Sequence, residues 1–269
     1  MKNTKIIGAI TKRLIFGDPN GKSMFEKYKE SKEPRVDDDL PFGLKNGGMI
    51  EIDIPLANMV LVRNDIAMQK PAKRGVIFSI GKIDLGGDLK IIRVYYTKSV
   101  GEPEDVADVA FLQIEMKGSE VLQTKIFTLN AEFDLTDDDS DSFFDNGDGT
   151  YTASIPHWLY SDEPVLGAPE FYVPKDDESE DVWVYDRVSQ AAVMEQVVDK
   201  IEEKIYDTPL KKSEEIMKLT TAEYSRNFNN EKAFDGRELC IVRLTETEED
   251  ASIEVYLGIS VEKSKISSL

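Results

Sequence analysis

The sequence predicts an α+β protein that consists mainly of antiparallel β-sheet, with a helix in its C-terminal half. Three hairpin patterns predict the sheet, and each joins two runs of β-branched and aromatic residues through a short turn; they cover residues 75–96, 110–129 and 236–263. From residue 191 onward, apolar residues recur at helical intervals instead. Because the strands follow one another through hairpin-length connections, the sheet is expected to curl into a barrel or a sandwich.

The hairpin over residues 75–96 has the clearest pattern of the three. Its two apolar runs flank residues 84–88, where two glycines stand between aspartates. Glycine adopts positive φ angles readily, and aspartate closes turns through its own carboxylate. This segment therefore predicts two antiparallel strands joined by a tight turn.

The predicted helix depends on five apolar residues between positions 191 and 205. Intervening charged residues at positions 202–204 are expected to lie on its other faces. A strand that begins within residues 193–198 is the alternative. The apolar residues are Val193, Val197, Val198, Ile201 and Ile205.

The chain is expected to divide near residue 39. Residues 1–39 predict an N-terminal helix followed by a charged linker, because apolar residues become rare after Tyr28. That helix either packs on a protein surface or binds a membrane surface weakly through its apolar face. Residues 40–269 predict a β-rich globular body, with a possible division into two subdomains near residues 135–155.

The charge balance restricts the classes of partner. The chain has 269 residues, with 33 basic and 52 acidic side chains and a formal net charge of -19. Such a field repels nucleic-acid phosphates and anionic lipids, so neither is expected to bind directly. A basic protein partner, a cation or a polyamine fits this charge better.

The residue pattern predicts a cytoplasmic protein. A single cysteine, Cys240, excludes an internal disulfide and suits a reducing compartment. Lys12 and Arg13 interrupt the N-terminal apolar stretch before it reaches the length of a signal-peptide core. No apolar run approaches the roughly 20 residues of a membrane-spanning helix.

An aspartate-rich stretch over residues 134–148 is a weak candidate for binding calcium. Loops rich in carboxylate oxygens can hold this ion, but neither glycine register matches the spacing of an EF-hand. Turn geometry and a solvated acidic loop explain the pattern as well. The candidate ligands are Asp137, Asp139, Asp141, Asp145 and Asp148.

No catalytic set or cofactor motif is present. His157 is the single histidine, and Cys240 lies within an apparently central strand, where a small buried cysteine is typical. A hydrolytic triad also needs a nucleophile and an orienting acid near its histidine. The sequence therefore favours a protein that is not an enzyme and needs no cofactor, although a site made of carboxylates and tyrosines stays open as an alternative.

Several aromatic and basic residues are candidates for contacts. Trp158, Trp183 and Tyr185 either anchor an interface, line a pocket or fill the core. Arg93 and Arg243 each lie within a predicted strand. They are expected to pair with acids across a sheet or to contact an anionic ligand.

The order of several short segments resembles the YjfK-like family of uncharacterised bacterial proteins. The shared segments are LPFGLKNGGMIEID at 40–53, GKIDLGGDLKIIRVYY at 81–96, FLQIE at 111–115, PEF at 169–171, VWVYDR at 182–187 and AVMEQV at 192–197. They extend over roughly residues 40–262 and consist of turns and strand cores, with no catalytic residue among them. The acidic insert at 134–148 is stronger here than in the family pattern.

This resemblance implies an accessory or adaptor role. Members of the family tend to be encoded near PspA-like coiled-coil proteins of the membrane-stress response and near ligases resembling glutathionylspermidine synthetase. The resemblance therefore implies a non-enzymatic adaptor that docks a basic or coiled-coil partner, peripheral to the inner membrane through that partner. A polyamine-binding or cation-binding module is the alternative.

Overall fold

The computed structural model describes residues 35–54, 66–135, 143–145, 151–153, 170–175, 182–188, 199–209, 214–227, 237–246 and 251–269. Within these ranges the protein is almost entirely antiparallel β-sheet. The strands are β1 (Met49–Ile52), β2 (Arg74–Gly86), β3 (Leu89–Lys98), β4 (Val109–Lys117), β5 (Glu120–Leu135), β6 (Phe143–Asp145), β7 (Tyr151–Ala153), β8 (Glu170–Pro174), β9 (Val182–Arg187), β10 (Asp199–Tyr206), β11 (Glu214–Asn227), β12 (Arg237–Glu246), β13 (Ala251–Ser260) and β14 (Ile266–Ser268).

Eight of the strands close into a barrel, in the order β2, β3, β4, β5, β13, β12, β11 and β10. Strand β10 completes the circle because it pairs with β11 along its whole length and with β2 through Glu203–Tyr206. Strands β1 and β14 extend the sheet beyond β2, and β9 and β8 extend it beyond β11. A separate two-stranded sheet joins β6 and β7.

The prediction of a helix in the C-terminal half is wrong. Residues 199–206 form strand β10, and the described part of the chain contains no α-helix, only 3-10 turns such as Pro41–Gly43 and Lys263–Lys265. The spacing of Ile201 and Ile205 suits either structure, because four residues are about one helical turn and also two strand repeats. Val193, Val197 and Val198 lie outside the described residues.

The three predicted hairpins are present in the structure. Strands β2 and β3 turn through Gly86 and Gly87, whose φ angles are 89° and 59°, and β4 and β5 turn at Gly118, with φ of 59°. These values lie in the left-handed region that glycine adopts without strain. Strands β12 and β13 form the third hairpin. The prediction of a β-rich protein is thus confirmed.

The interior of the barrel holds an aromatic and aliphatic cluster. Every barrel strand contributes to it: Phe78, Tyr95, Phe111, Phe127, Ile205, Met217, Leu219, Ile241 and Tyr256 are its buried members. Strand β10 identifies the inward side, since Glu203 and Ile205 are buried while Glu202 and Lys204 are exposed. Alternation along a strand sends these two pairs to opposite faces of the sheet.

A second and larger apolar cluster covers the outer face of part of the barrel. It combines the alternate side chains of the barrel strands, such as Leu112 and Val242, with residues from the four additional strands. Ile50 on β1 and Phe171 on β8 are examples of the latter. The additional strands therefore bury the outer face of the barrel rather than extend freely into solvent.

Candidate functional site

The middle of the barrel contains a buried ionic network. Arg93 on β3 donates from Nη1 to Glu203 Oε2 on β10 at 2.6 Å, and Tyr95 donates its hydroxyl to Glu203 Oε1 at 2.8 Å. Arg93 Nε also donates to Gln113 Oε1 at 3.2 Å. Strand β2 lies between β3 and β10, so these contacts pass over its inner surface.

A glycine on β2 leaves the space that this contact needs. Gly81 is opposite Arg93 on one side and Ile205 on the other. A Cβ atom at this position would lie 1.7 Å from Glu203 Oε1. Any larger residue at position 81 would therefore displace the Glu203 side chain from the position in which it contacts Arg93.

The second arginine of the network lies on the opposite wall of the barrel. Arg243 on β12 forms an ion pair with Glu254 on β13, and its Nη2 donates to the Tyr256 hydroxyl at 2.9 Å. Its Nη1 donates to the Tyr95 hydroxyl at 3.3 Å. Because β3 and β12 are four strands apart in a circle of eight, this last bond spans the interior.

The network balances its own charge. It contains the two guanidinium groups of Arg93 and Arg243 and the two carboxylates of Glu203 and Glu254, all of them buried. Among the described residues, no buried side-chain nitrogen or oxygen atom lacks a hydrogen-bond partner. Buried charges are tolerated when they are paired and hydrogen-bonded, as they are here. The charged and polar groups of the network therefore satisfy one another within the barrel interior.

The protonation states in the interior follow from these contacts. Burial lowers the pKa of Arg243, but Glu254, Tyr256, Tyr95 and Glu203 outweigh it and hold the pKa well above its ordinary value. Burial and then the Glu203 carboxylate raise the pKa of Tyr95 to about 12. Both arginines are thus charged and Tyr95 is neutral at physiological pH.

A further buried carboxylate, that of Glu238, lies on the outer side of the sheet. Glu238 Oε1 accepts from the backbone N–H of Met68 at 2.7 Å, and Oε2 accepts from Tyr185 at 2.9 Å and from Arg226 Nε at 2.7 Å. Burial raises the pKa of Glu238, while the positive charge of Arg226 opposes the rise. Through Met68, Glu238 thereby connects the segment that precedes β2 to its own strand, β12, and to the neighbouring strands β11 and β9.

The predicted aromatic contact residues have different environments. Tyr185 is fully buried, so its side chain belongs to the core around Glu238. Trp183 is partly exposed, and the Arg226 guanidinium lies 4.0 Å from its ring centroid, with Lys175 Nζ at 5.0 Å. Trp158 lies outside the described residues.

The predicted calcium ligands are mostly outside the described ranges. Asp137, Asp139, Asp141 and Asp148 are not among the described residues, and Asp145 ends strand β6. Over the part of the chain that the structure describes, no three acidic, histidine or cysteine side chains are grouped so that they could hold a metal ion.

Of the two residues considered for nucleophilic catalysis, Cys240 and His157, the structure describes Cys240 alone. Cys240 is fully buried, and burial followed by the charge of Glu238 raises its pKa well above the ordinary value. A thiol of this kind is a poor nucleophile, because the thiolate is the reactive form. His157 lies outside the described residues.

The outer end of the sheet carries an exposed acidic pair. Glu170 on β8 lies directly opposite Asp186 on β9, and both are exposed. The next pair on the same face is Tyr172 opposite Val184, whose side chain is 41% exposed. We call these four residues the β8–β9 face. The Tyr172 hydroxyl donates to Glu170 Oε2, and the two opposed carboxylates give this face a local negative potential beside the exposed Val184.

The sequence pattern predicts only part of these arrangements. Arg93 and Arg243 were expected to pair with acids across a sheet, and Arg243 does so with Glu254 on the adjacent strand. The partner of Arg93 was missed because Glu203 was assigned to a helix. Gly81 was the available signal, since a glycine within a β-branched run often marks a close approach.

Comparisons with known proteins add no identity to this architecture. No protein-family model, no curated protein and no solved structure matches the chain. Among the described residues, no helix has the length and apolar character needed to cross a membrane. The described structure is an eight-stranded antiparallel barrel. It has a buried ionic network in its interior and an acidic face at one end of its sheet.

Proposed function

We propose that this protein is a non-enzymatic adaptor that binds a basic protein partner. The observation that carries the proposal is the β8–β9 face, where Glu170 and Asp186 lie opposite each other at the end of the sheet. A positively charged side chain placed between them would relieve their repulsion and form charge-assisted contacts. The formal net charge of -19 would also accelerate the approach of such a partner.

The barrel interior supports a scaffold role better than a catalytic one. Its arginines and glutamates neutralise each other, and Tyr95 and Tyr256 are hydrogen-bonded to them. An enzyme of the carboxylate type needs acids whose environments separate their pKa values and whose oxygens can reach a substrate. The interior carboxylates instead have arginine partners that hold them in place.

The identity of the partner is a finer proposal, supported by the family resemblance alone. The YjfK-like pattern suggests a coiled-coil protein of the PspA type. In that case the chain acts in the cytoplasm and is peripheral to the inner membrane through its partner. A basic patch on a coiled coil would supply the positive charges that the β8–β9 face attracts.

A polyamine is the second candidate ligand, because paired exposed carboxylates also suit a flexible polycation. Calorimetric titration of the full chain with octalysine, octaglutamate and spermidine at about 0.15 M salt separates the possibilities. The adaptor proposal predicts that octalysine binds and that octaglutamate does not. Spermidine binding more tightly than octalysine would favour the polyamine module, and no octalysine binding would contradict the adaptor proposal.

A further inference from the structure

One junction of the barrel is shorter than the others. Strand β10 pairs with β2 through residues 203–206 and 80–83, whereas it pairs with β11 along its whole length. Within the described residues, every other junction in the circle of eight strands is longer than this one. We call the junction of β2 with β10 the seam. Because fewer main-chain pairs hold the seam, it is expected to separate before the other junctions do.

The segment that precedes β1 crosses this seam. The backbone N–H of Val36 donates to the carbonyl of Pro209, just beyond β10, at 2.8 Å. The carbonyl of the same residue accepts from Lys82 Nζ on β2 at 2.6 Å. Lys82 also forms an ion pair with Asp39, with 3.6 Å between Nζ and Oδ1. Val36 is thus bonded to both sides of the seam.

A second bridge across the seam lies nearer to β1. The side-chain amide of Asn46 donates to the Tyr206 carbonyl on β10 at 2.9 Å and to the Phe78 carbonyl on β2 at 3.4 Å. Phe78 lies where the register between β2 and β3 shifts, and a bulge of this kind leaves one residue outside the ladder. We call residues 35–46, which carry both bridges, the strap.

A buried carboxylate fixes the shape of the strap. Asp37 is 1% exposed, and its Oδ2 accepts from the backbone N–H of Asn46 at 2.8 Å. Both of its oxygens also accept from the guanidinium group of Arg35, at 2.8 Å each. Asp37 therefore holds the two ends of the strap together, so that Val36 and Asn46 contact the seam at the same time.

We propose that the strap keeps the seam closed and that the barrel opens at the seam when the strap leaves. Strand β10 then stays with β11, because the pairing between these two strands covers the whole of β10. Glu203 moves away with β10 while Arg93 stays on β3, so opening separates the ion pair at the closure. The strap thereby controls access to the barrel interior. This inference does not depend on the adaptor function.

Amide hydrogen exchange on the full chain tests this inference. The amides of residues 80–83 and 203–206 that face across the seam report on its opening, and residues 240–244 of β12 are the reference, since they lie between two longer junctions. In the unaltered chain, the seam amides should exchange faster than the reference amides, because the seam opens without global unfolding. Equal exchange rates at the two places would contradict a local opening.

The matched variants alter single residues of the strap. Asn46→Ala removes both side-chain hydrogen bonds to the seam, and Asp37→Ala removes the acceptor that shapes the strap. Asp38→Ala is the control, because Asp38 lies in the same segment but its side chain is 62% exposed. We expect each of the first two variants to accelerate exchange at the seam roughly three- to tenfold, with little change at the reference. The control should leave exchange nearly unchanged at both places.

The variants distinguish a strap on the seam from a general contribution to stability. Unchanged exchange at the seam in Asn46→Ala and Asp37→Ala would overturn the proposed role of the strap. Equal acceleration at the seam and at the reference would also overturn it, because the strap would then stabilise the whole barrel. An Asp38→Ala effect as large as that of Asp37→Ala would contradict the assignment to the buried carboxylate.

Discussion

Arg93 and Glu203 form an ion pair with a distance of 2.6 Å between Nη1 and Oε2, although 110 positions separate them in the chain. The pair joins β3 to β10 across the inner surface of β2. It therefore connects the strand that closes the barrel with the central hairpin. A contact between buried charges therefore lies where the barrel closes.

Replacing Glu203 with glutamine should destabilise the protein strongly. The substitution leaves Arg93 without its carboxylate in a buried site, and removal of one member of a buried pair typically costs about 3–5 kcal/mol. The free energy of unfolding, measured by urea denaturation, tests this expectation. Glu202→Gln is the matched control because Glu202 is exposed on the same strand, and its effect should be within about 0.5 kcal/mol. Equal effects of the two substitutions would refute the role of Glu203.

Gly81→Ala should destabilise the protein by displacing the Glu203 carboxylate. The new Cβ would lie 1.7 Å from Oε1, so either the side chain or the strand must move. In a double-mutant cycle, Gly81→Ala should lower the free energy of unfolding much less in a Glu203→Ala background, because the crowded carboxylate is absent. Strictly additive free energies in the four proteins would show that Gly81 has no coupling to Glu203.

The hydroxyl of Tyr95 should contribute a pH-dependent loss of stability in alkaline solution. Burial and Glu203 raise its pKa from 10.0 to about 12 in the folded protein. A raised folded-state pKa means that this contribution is complete below pH 10 and disappears as the pH rises toward 12. The unfolded state ionises first, so the loss amounts to about 2–3 kcal/mol.

Tyr95→Phe isolates this effect. The variant should be less stable at pH 8, because it lacks the hydrogen bonds to Glu203 and from Arg243. Its free energy of unfolding should then fall less steeply than that of the unaltered chain between pH 10 and 12. Identical slopes from urea denaturation across this interval would contradict the assignment.

Glu238 should protect the backbone of the segment before β2. Glu238→Ala removes the acceptor for the Met68 N–H, so we expect amide hydrogen exchange at Met68 to accelerate about tenfold or more. The Ala107 amide, which precedes β4 and donates to the Lys70 carbonyl of that segment, is an internal reference. Acceleration confined to Met68 would indicate a local attachment, and unchanged exchange at Met68 would exclude one.

Local parts of the fold were accessible from sequence because their causes are local. Gly86, Gly87 and Gly118 adopt the positive φ angles that tight hairpins need, and the flanking residues have the composition of strands. The same reasoning failed for β10, where the spacing of Ile201 and Ile205 suits a helix and a strand equally. Only the pairing of β10 with two distant strands decides between these structures.

The candidate sites were less accessible, since their members are distant in sequence. Glu203 contacts Arg93 and Glu238 contacts Met68, and no periodic pattern links either pair. The acidic pair of Glu170 and Asp186 likewise depends on the register between β8 and β9. The net charge predicts that the surface potential is negative, but it does not predict where two carboxylates lie side by side.

The most direct test of the proposed function is a nuclear magnetic resonance titration of the full chain with octalysine. We expect the shifted backbone resonances to cluster in residues 170–174 and 182–187, while those of Arg93, Tyr95 and Glu203 stay in place. This result would establish a basic segment bound at the end of the sheet, outside a closed barrel. Shifts concentrated at the three interior residues would contradict the account, because they would place the ligand inside the barrel.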